Sequence, residues 1–284
     1  MDAAAWVGLR SGQVTEVHRI TSPGSRFWQA TVMADYYETL AADYDWIFDD
    51  DALSHGLAIN HPGMARLLER TSNGSTVLDA ACGTGVNAAA LARRGYRVWA
   101  ADGSAAMVAV AAARFRSEQL EIPVVQCMWA DLPDVVGERF DVVLCIGNSL
   151  VHAAGRDAMI GALTGLREMA RPGGHVVVDS RNWEKLHAEH RIVQLADRAV
   201  TRHGRRCIVL YAWEIPDRLD QEHVAHIVLI FQDGSRIEPR EYRIGFHPFT
   251  VGDLRERLEA AGLKEVDTDF DDARDRYAIT AVPA

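Results

Sequence analysis

Val77-Leu78-Asp79-Ala80-Ala81-Cys82-Gly83-Thr84-Gly85 decides the fold. An apolar run, Ser75–Ala81, meets two glycines one residue apart, and the Ala-rich segment Val86–Arg94 follows with helical character. Glycine lets the backbone come close to a ligand because no Cβ stands in the way. A strand, a glycine loop and a helix in that order open a ligand-binding α/β sheet.

The same alternation continues downstream. Apolar run Arg97–Ala101 precedes segment Ser104–Ser117; runs Pro123–Met128 and Phe140–Ile146 precede helix-like Asp157–Ala170, with Asp157 as its expected N-cap. Arg171-Pro172-Gly173-Gly174 is expected to turn the chain into a fifth strand, His175–Asp179. Short apolar runs separated by helical patterns predict a parallel sheet. After Asp179 the rhythm changes. Cys207–Trp213, Val224–Gln232 and Glu241–Phe246 are strand-like, with Asp233-Gly234 as a turn between the last two, so they are expected to pair antiparallel. Thr250 caps a helix reaching about Ala261, Gly262 ends it, and runs near Lys264–Asp269 and Tyr277–Val282 are expected to close the main sheet. The fold class expected is therefore α/β: a doubly wound, Rossmann-like, seven-stranded sheet with a three-stranded antiparallel insertion at about 200–246, after strand 5. Residues 1–32 show neither period and are expected to be a mobile N-terminal extension, with the folded domain spanning 33–284.

Composition narrows the class. At 284 residues and 48% apolar, the chain can bury one large core. A net charge of −10 argues against nucleic-acid or anionic-membrane partners, which call for a basic face. No run of about 18 apolar residues suggests a membrane span. Cys82, Cys127, Cys145 and Cys207 form no C-x-x-C pair, so no metal site is expected, and scattered thiols suit a reducing cytosol. The run Asp49-Asp50-Asp51 is expected to be a solvated loop. A homo-oligomer is compatible with the sequence.

Asp102 ends the second strand, where a carboxylate can accept two hydrogen bonds from ribose hydroxyls. Gly83-Thr84-Gly85-Val86-Asn87-Ala88 also fits a dinucleotide fingerprint. Three features oppose that reading. The motif begins deep in the chain; Asp79 would repel a pyrophosphate; and no Tyr-x-x-x-Lys pair occurs. A carboxylate at Asp79 suits a cationic group instead.

Val77–Gly85 with Asp102-Gly103-Ser104 resembles the class I S-adenosylmethionine-dependent methyltransferases. A narrower resemblance, over roughly 35–282, is to the glycine N-methyltransferase and glycine/sarcosine N-methyltransferase group. It is carried by Tyr37 and the Tyr44-Asp45-Trp46 segment, by Trp129, by Gly147-Asn148-Ser149 with His152, and by Asp179-Ser180-Arg181-Asn182-Trp183. The resemblance implies S-adenosyl-L-methionine as cofactor. Asp102 would hold the ribose, Trp129 and Ile146 the adenine, and Trp46, Asp79, Ala81, Gly83, Gly85, Gly103, Ser104, Met107, Ala130 and Asp131 would complete the cofactor site. Tyr37, Asn148 and Arg181 would face a small-molecule acceptor, the arginine binding its carboxylate, with His152 as the candidate base. The chain departs from the group at Phe246-His247-Pro248, Asp49 and Ser180, all on the acceptor side. The expected reaction is methyl transfer to the amine of a glycine-like amino acid or other carboxylated amine. An O- or C-methyltransferase and a non-catalytic cofactor-binding regulator are the alternatives. Each candidate also has a plain structural role. Asn148 could merely tie a strand to its loop, and Arg181 could pair with Asp179 or Glu184.

Overall fold

Successive side chains of a strand point to opposite faces, so an apolar strand needs cover on both sides. The first strand illustrates this in the computed structural model, which describes residues 36–56, 67, 71, 74–196 and 198–284. The segment 1–32 expected to be mobile lies outside the described residues, as does Met33. In chain order the strands are β1 (Thr76–Asp79), β2 (Arg97–Asp102), β3 (Val124–Gln126), β4 (Phe140–Cys145), β5 (Ala170–Arg181), β6 (Val193–Leu195), β7 (Val200–Arg202), β8 (Arg205–Glu214), β9 (His223–Asp233), β10 (Arg236–Phe246), β11 (Leu263–Thr268) and β12 (Arg276–Pro283). Val77, Val142, Leu144 and Val177 join one apolar cluster, while Leu78, Val143, Cys145, Val176 and Val178 join the other.

The helices are α1 (Asp50–His55), α2 (Val86–Arg93), α3 (Ala105–Ser117), α4 (Leu132–Val136), α5 (Arg156–Met169), α6 (Trp183–Glu189) and α7 (Val251–Ala260). Ala88, Ala89 and Leu91 of α2, with Ala111 and Phe115 of α3, cover the Val77 face. Leu163 and Leu166 of α5, with Leu254 and Leu258 of α7, cover the Leu78 face. The strands run in the order β11-β12-β5-β4-β1-β2-β3, and only β12 is antiparallel to its neighbours. The order reverses between β1 and β4. That is the switch point at which open α/β sheets leave a crevice beyond the strands' carboxyl ends.

Most helix signals act as expected. Ser104 caps α3 by accepting from the Met107 N–H at 3.2 Å, and Thr250 with Asp253 forms a capping box on α7. Asp157 does not cap α5. The N-cap is Gly155, and Asp157 sits in the first turn, where its charge meets the positive helix end. Arg171–Gly174 is not a separate turn before the strand but a bulge within β5: Phe140 pairs with Ala170, and Val142 next pairs with His175. The acidic run 49–51 is not a loop; Asp49 caps α1 by accepting from the Ala52 N–H at 2.7 Å.

The insertion is antiparallel, and its three long strands are β8, β9 and β10. Gly234, at φ +56°, turns β9 into β10 between the paired residues Asp233 and Arg236. β6 and β7 add two short strands beside β8, making five, and the sheet starts before residue 200. Three-residue strands are too short to show an alternation, so the sequence pattern misses them. Ala225, Ile227, Leu229 and Phe231 of β9 point into the Leu78-side cluster, so insertion and main sheet share one core. Among the described residues no helix is long and apolar enough to cross a membrane.

One close approach holds α5 near the site. A Cβ on Gly165 would stand 2.0 Å from the Trp129 carbonyl oxygen, whereas one on Gly245 would meet only the mobile end of Glu222, at 2.1 Å. Gly165→Ala should therefore cost about 1–3 kcal/mol despite alanine's better helix propensity. Gly245→Ala should cost far less. Urea denaturation midpoints of the two variants compare them directly.

Candidate active site

A cavity open to solvent lies beyond the carboxyl ends of β1, β2 and β4. Its floor is the glycine loop. The Cys82 N–H donates to the Ala101 carbonyl at 3.0 Å and the Gly85 N–H to the Cys82 carbonyl at 2.8 Å. Gly83 and Gly85 have φ of +52° and +81°, values that favour glycine. The Asp102 carboxylate fastens the loop: Oδ2 accepts from the Gly83 N–H at 2.8 Å and Oδ1 from the Ser104 N–H at 2.9 Å. Burial raises the Asp102 acid's pKa, and these N–H groups oppose the rise.

The walls come from four chain segments. Gly103, Ser104 and Met107 follow β2; Met128 and Trp129 follow β3; Ile146, Gly147, Ser149 and His152 follow β4. Tyr37, Tyr44 and Phe48 come from the segment before the sheet. The Trp129 indole N–H donates to the Ala80 carbonyl at 2.8 Å, which fixes its ring beside the loop. Tyr37 Oη and His152 Nε2 are hydrogen-bonded at 2.8 Å, and their rings meet edge to face. Burial lowers the His152 pKa to about 4 and pushes the Tyr37 phenol well up, so both are neutral at physiological pH.

Asn148 and Arg181 stand at the adjoining ends of β4 and β5, behind Gly147 and Ser149. Asn148 adopts φ +63°, which asparagine tolerates better than most residues. Its N–H donates to Asp179 Oδ1 at 2.6 Å, and its Oδ1 accepts from the Arg181 backbone N–H at 2.9 Å. The side-chain oxygen thus ties the two strand ends together. The Arg181 guanidinium lies over the Trp213 ring, 5.2 Å from its centre. Among the described residues it has no carboxylate partner. Asp179 is paired with Arg276 at 3.2 Å, and Glu184 accepts from the Val251 N–H at 3.0 Å. Burial, with Arg276 adding repulsion, brings the Arg181 pKa down to about 10, so the group stays cationic.

Asp79 is fully buried at the end of β1, and among the described residues neither carboxylate oxygen has a hydrogen-bond partner. Burial is the main force that pushes its acid up to about 7; the Ala81 N–H opposes the shift and Asp102 adds to it.

Of the residues expected at the cofactor, Ala81, Gly83, Asp102, Gly103, Ser104, Met107, Trp129 and Ile146 line the cavity. Trp46 does not: its ring packs edge-on against Phe231 at 5.2 Å and lies under the Arg202 guanidinium, on the insertion. It lies in a 3₁₀ turn, Tyr44–Ile47, and residues two apart in such a turn cannot share a face. Tyr44 and Phe48 take the cavity side, a choice the segment's sequence left unmarked. Gly85 serves packing instead, since a Cβ there would stand 2.7 Å from the Phe115 ring. Ala130 and Asp131 are exposed beyond Trp129. Of the residues expected at the acceptor, Tyr37 and His152 line the cavity; Asn148 and Arg181 do not, Asn148 lying between the lining residues Gly147 and Ser149 and Arg181 being tied to it through its backbone N–H. Thr84, Cys82 and Ser149 also line it and were not singled out; each lies within a quoted motif.

The family model described as a methyltransferase domain matches residues 77–174. The glycine/sarcosine N-methyltransferase of Halorhodospira halochloris is 26% identical over 220 residues, covering 77% of each chain. That of Parasynechococcus marenigrum (strain WH8102) is 27% identical over 202 residues, 70% of this chain and 67% of the relative. In fold, the chain is similar to an S-adenosylmethionine-dependent methyltransferase from Clostridium acetobutylicum ATCC 824. The TM-score is 0.65 at 17% identity, covering 87% of this chain and 98% of that one. The cavity suits that cofactor: a floor of small residues with no Cβ at Gly83, an aromatic and apolar wall at Trp129, Met107 and Ile146, a carboxylate at a strand end, and, next in sequence to the lining residue Ala80, the buried Asp79 carboxyl without a hydrogen-bond partner among the described residues. The chain carries a methyltransferase domain over residues 77–174, takes S-adenosyl-L-methionine as its cofactor, and resembles the glycine/sarcosine N-methyltransferases.

Proposed function

We propose that the enzyme methylates the amine of a small carboxylated acceptor, in the class of glycine. The observation that carries this reading is the Arg181 guanidinium, partly buried over the Trp213 ring and, among the described residues, without a carboxylate in ion-pair contact. A buried cation is costly unless an anion meets it. A planar fork at that place matches a carboxylate with two parallel hydrogen bonds.

In this reading Asp102 accepts from the ribose hydroxyls, and Trp129, Met107 and Ile146 flank the adenine. Asp79 balances the cofactor's positive charge. When bound, S-adenosylmethionine supplies a methyl group already activated on a sulfonium, so the protein need not generate a covalent nucleophile. Its task is to hold the acceptor nitrogen in line with that methyl. Such positioning is worth on the order of 7–11 kcal/mol. Arg181 anchors the acceptor's acid end, and its charge disfavours a second cation nearby, which promotes the neutral amine needed for attack. Tyr37 and His152 present a neutral, hydrogen-bonded pair to the amine. Asn148 holds the strand end from which Arg181 projects.

Asp102→Ala should weaken S-adenosylmethionine binding by about 1.5–3 kcal/mol, the range for hydrogen bonds to charged groups; calorimetry at fixed pH measures it.

Asp79 yields a pH signature. Its folded pKa, about 7, lies above its unfolded value. The stability it contributes in the ligand-free protein is therefore full below about pH 4, and it disappears as pH rises toward 7. Asp79→Asn should raise the melting temperature relative to wild type at pH 8, with no gain near pH 4, and should weaken cofactor binding. A pH-independent difference in melting temperature would show that Asp79 is not the titrating group.

Arg181 tests the acceptor. With a labelled methyl donor and a panel of amines and hydroxy acids, turnover should favour a carboxylated amine. Arg181→Lys should raise KM for it strongly while cofactor affinity stays near wild type. Arg181→Ala should leave the melting temperature largely intact. Unfolding of Arg181→Ala would mean that the guanidinium serves the fold, and the amine reading would lose its anchor to a hydroxyl or carbon acceptor.

A further inference from the structure

Tyr44 and Phe48, which wall the cavity, lie on one short turn at 44–48. Tyr44 hangs directly over the glycine loop: its Cε1 is 3.6 Å from where a Cβ on Gly83 would stand. What keeps the turn there is a set of charged contacts from both sides. On the insertion side, the Asp45 and Phe48 carbonyls each accept from the Arg202 guanidinium at 2.7 Å, and Asp43 accepts from Arg240 at 2.7 Å and from Tyr242. On the main-sheet side, the contact is the Asp45 side chain. Its Oδ1 accepts from Thr84 Oγ1 at 2.7 Å, and its Oδ2 pairs with Arg114 of α3. Arg114 closes the triangle by donating from Nε to the Thr84 carbonyl at 2.8 Å.

We propose that Asp45 is a positioning residue for the cofactor: it latches the Tyr44–Phe48 turn to the glycine loop and so governs how fast cofactor and product leave the cavity. The inference rests on the reading that places S-adenosylmethionine in this cavity. Its physical basis is the triangle. Thr84 is almost fully buried on the cavity wall, and Asp45 accepts the proton of its hydroxyl. Arg114 is largely buried as well, so its pairing with Asp45 is poorly screened by solvent. A ligand seated on Ala81–Thr84 is therefore covered by Tyr44 for as long as the triangle holds. Lifting the turn breaks the two Asp45 contacts together, while Arg114 stays bonded to the Thr84 carbonyl and keeps the receiving side of the latch in place. The Arg202 and Arg240 contacts lie on the far side of the turn and do not touch the loop.

The test is stopped-flow release of S-adenosylhomocysteine, followed by tryptophan fluorescence, with calorimetric affinity for S-adenosylmethionine. Asp45→Asn and Thr84→Val should each speed release about five- to twentyfold, with proportionate loss of affinity. The double variant should be no faster than the faster single one, since both remove the same latch. A merely structural Asp45 would lower the melting temperature and leave the release rate alone. Release within twofold of wild type in both single variants overturns the proposal, and so do fully additive effects in the double. Should Asp45→Asn not fold, Thr84→Val, which removes one hydroxyl at nearly constant shape, decides the matter by its release rate. Unchanged cofactor affinity in Asp102→Ala would sink the cavity reading itself. Weakened affinity there with unmoved release at Asp45 and Thr84 sinks the latch alone.

Discussion

The site depends on one carboxylate holding two backbone N–H groups. Asp102 stands at the end of β2 and accepts from Gly83 on one side and Ser104 on the other. It thereby fastens the loop after β1 to the start of α3. Without it, two positive-φ glycines would leave the chain from β1 to α2 free to wander. The loop in turn supports Trp129, through the Ala80 carbonyl, and Tyr44, which lies on Gly83. Trp129 then receives α5 at Gly165. A cofactor floor, an aromatic wall and a helix contact all follow from that one anchor.

Charge around the cavity is divided into groups that are satisfied and groups that are not. Arg114, Arg202, Arg240 and Arg276 each have an acidic partner, and three of them hold the segment that covers the loop. Arg181 and Asp79 differ. Among the described residues, Arg181 has an aromatic face in place of a paired acid, and Asp79 has only the Ala81 N–H nearby, outside full hydrogen-bond geometry. Asp79 is next in sequence to the lining residue Ala80, at the end of β1, and Arg181 ends β5, bonded through its N–H to Asn148 between two lining residues. Buried groups of this kind burden the folded chain, and a ligand of opposite charge relieves them. A methyl donor with positive charge and an acceptor with negative charge would meet the two of them in the right sense.

The relation to the glycine/sarcosine N-methyltransferases is uneven across the chain. The cofactor-side motifs lie in the part where the chain direction is set by β-α-β units, and there the residues keep their places. The acceptor side is assembled from the segment before the sheet, the end of β5 and the insertion. Phe246 and Ser180 belong to that side, and Phe246 packs on His152, Trp183 and Trp213.

The strands and helices of the main sheet, its doubly wound class and the place of its crevice were legible in the sequence. Strand and helix periods, glycines that demand positive φ, and a carboxylate at a strand end are local properties, written within a few residues. Trp46 shows the limit. Its neighbours Tyr44 and Phe48 are aromatic too, and which of the three faces the cavity was decided by the insertion, whose Phe231 and Arg202 enclose the indole. The same holds for Gly85, claimed by Phe115 of a different helix, and for the two short strands beside β8. Whether Arg181 would pair with Asp179 or Glu184 was equally open. It was settled when Arg276 of β12 and the backbone before α7 took those acids first. A residue's own pattern determines the element it joins. Its partner is determined by what distant segments bring within hydrogen-bonding range, and only the packed chain sets those distances.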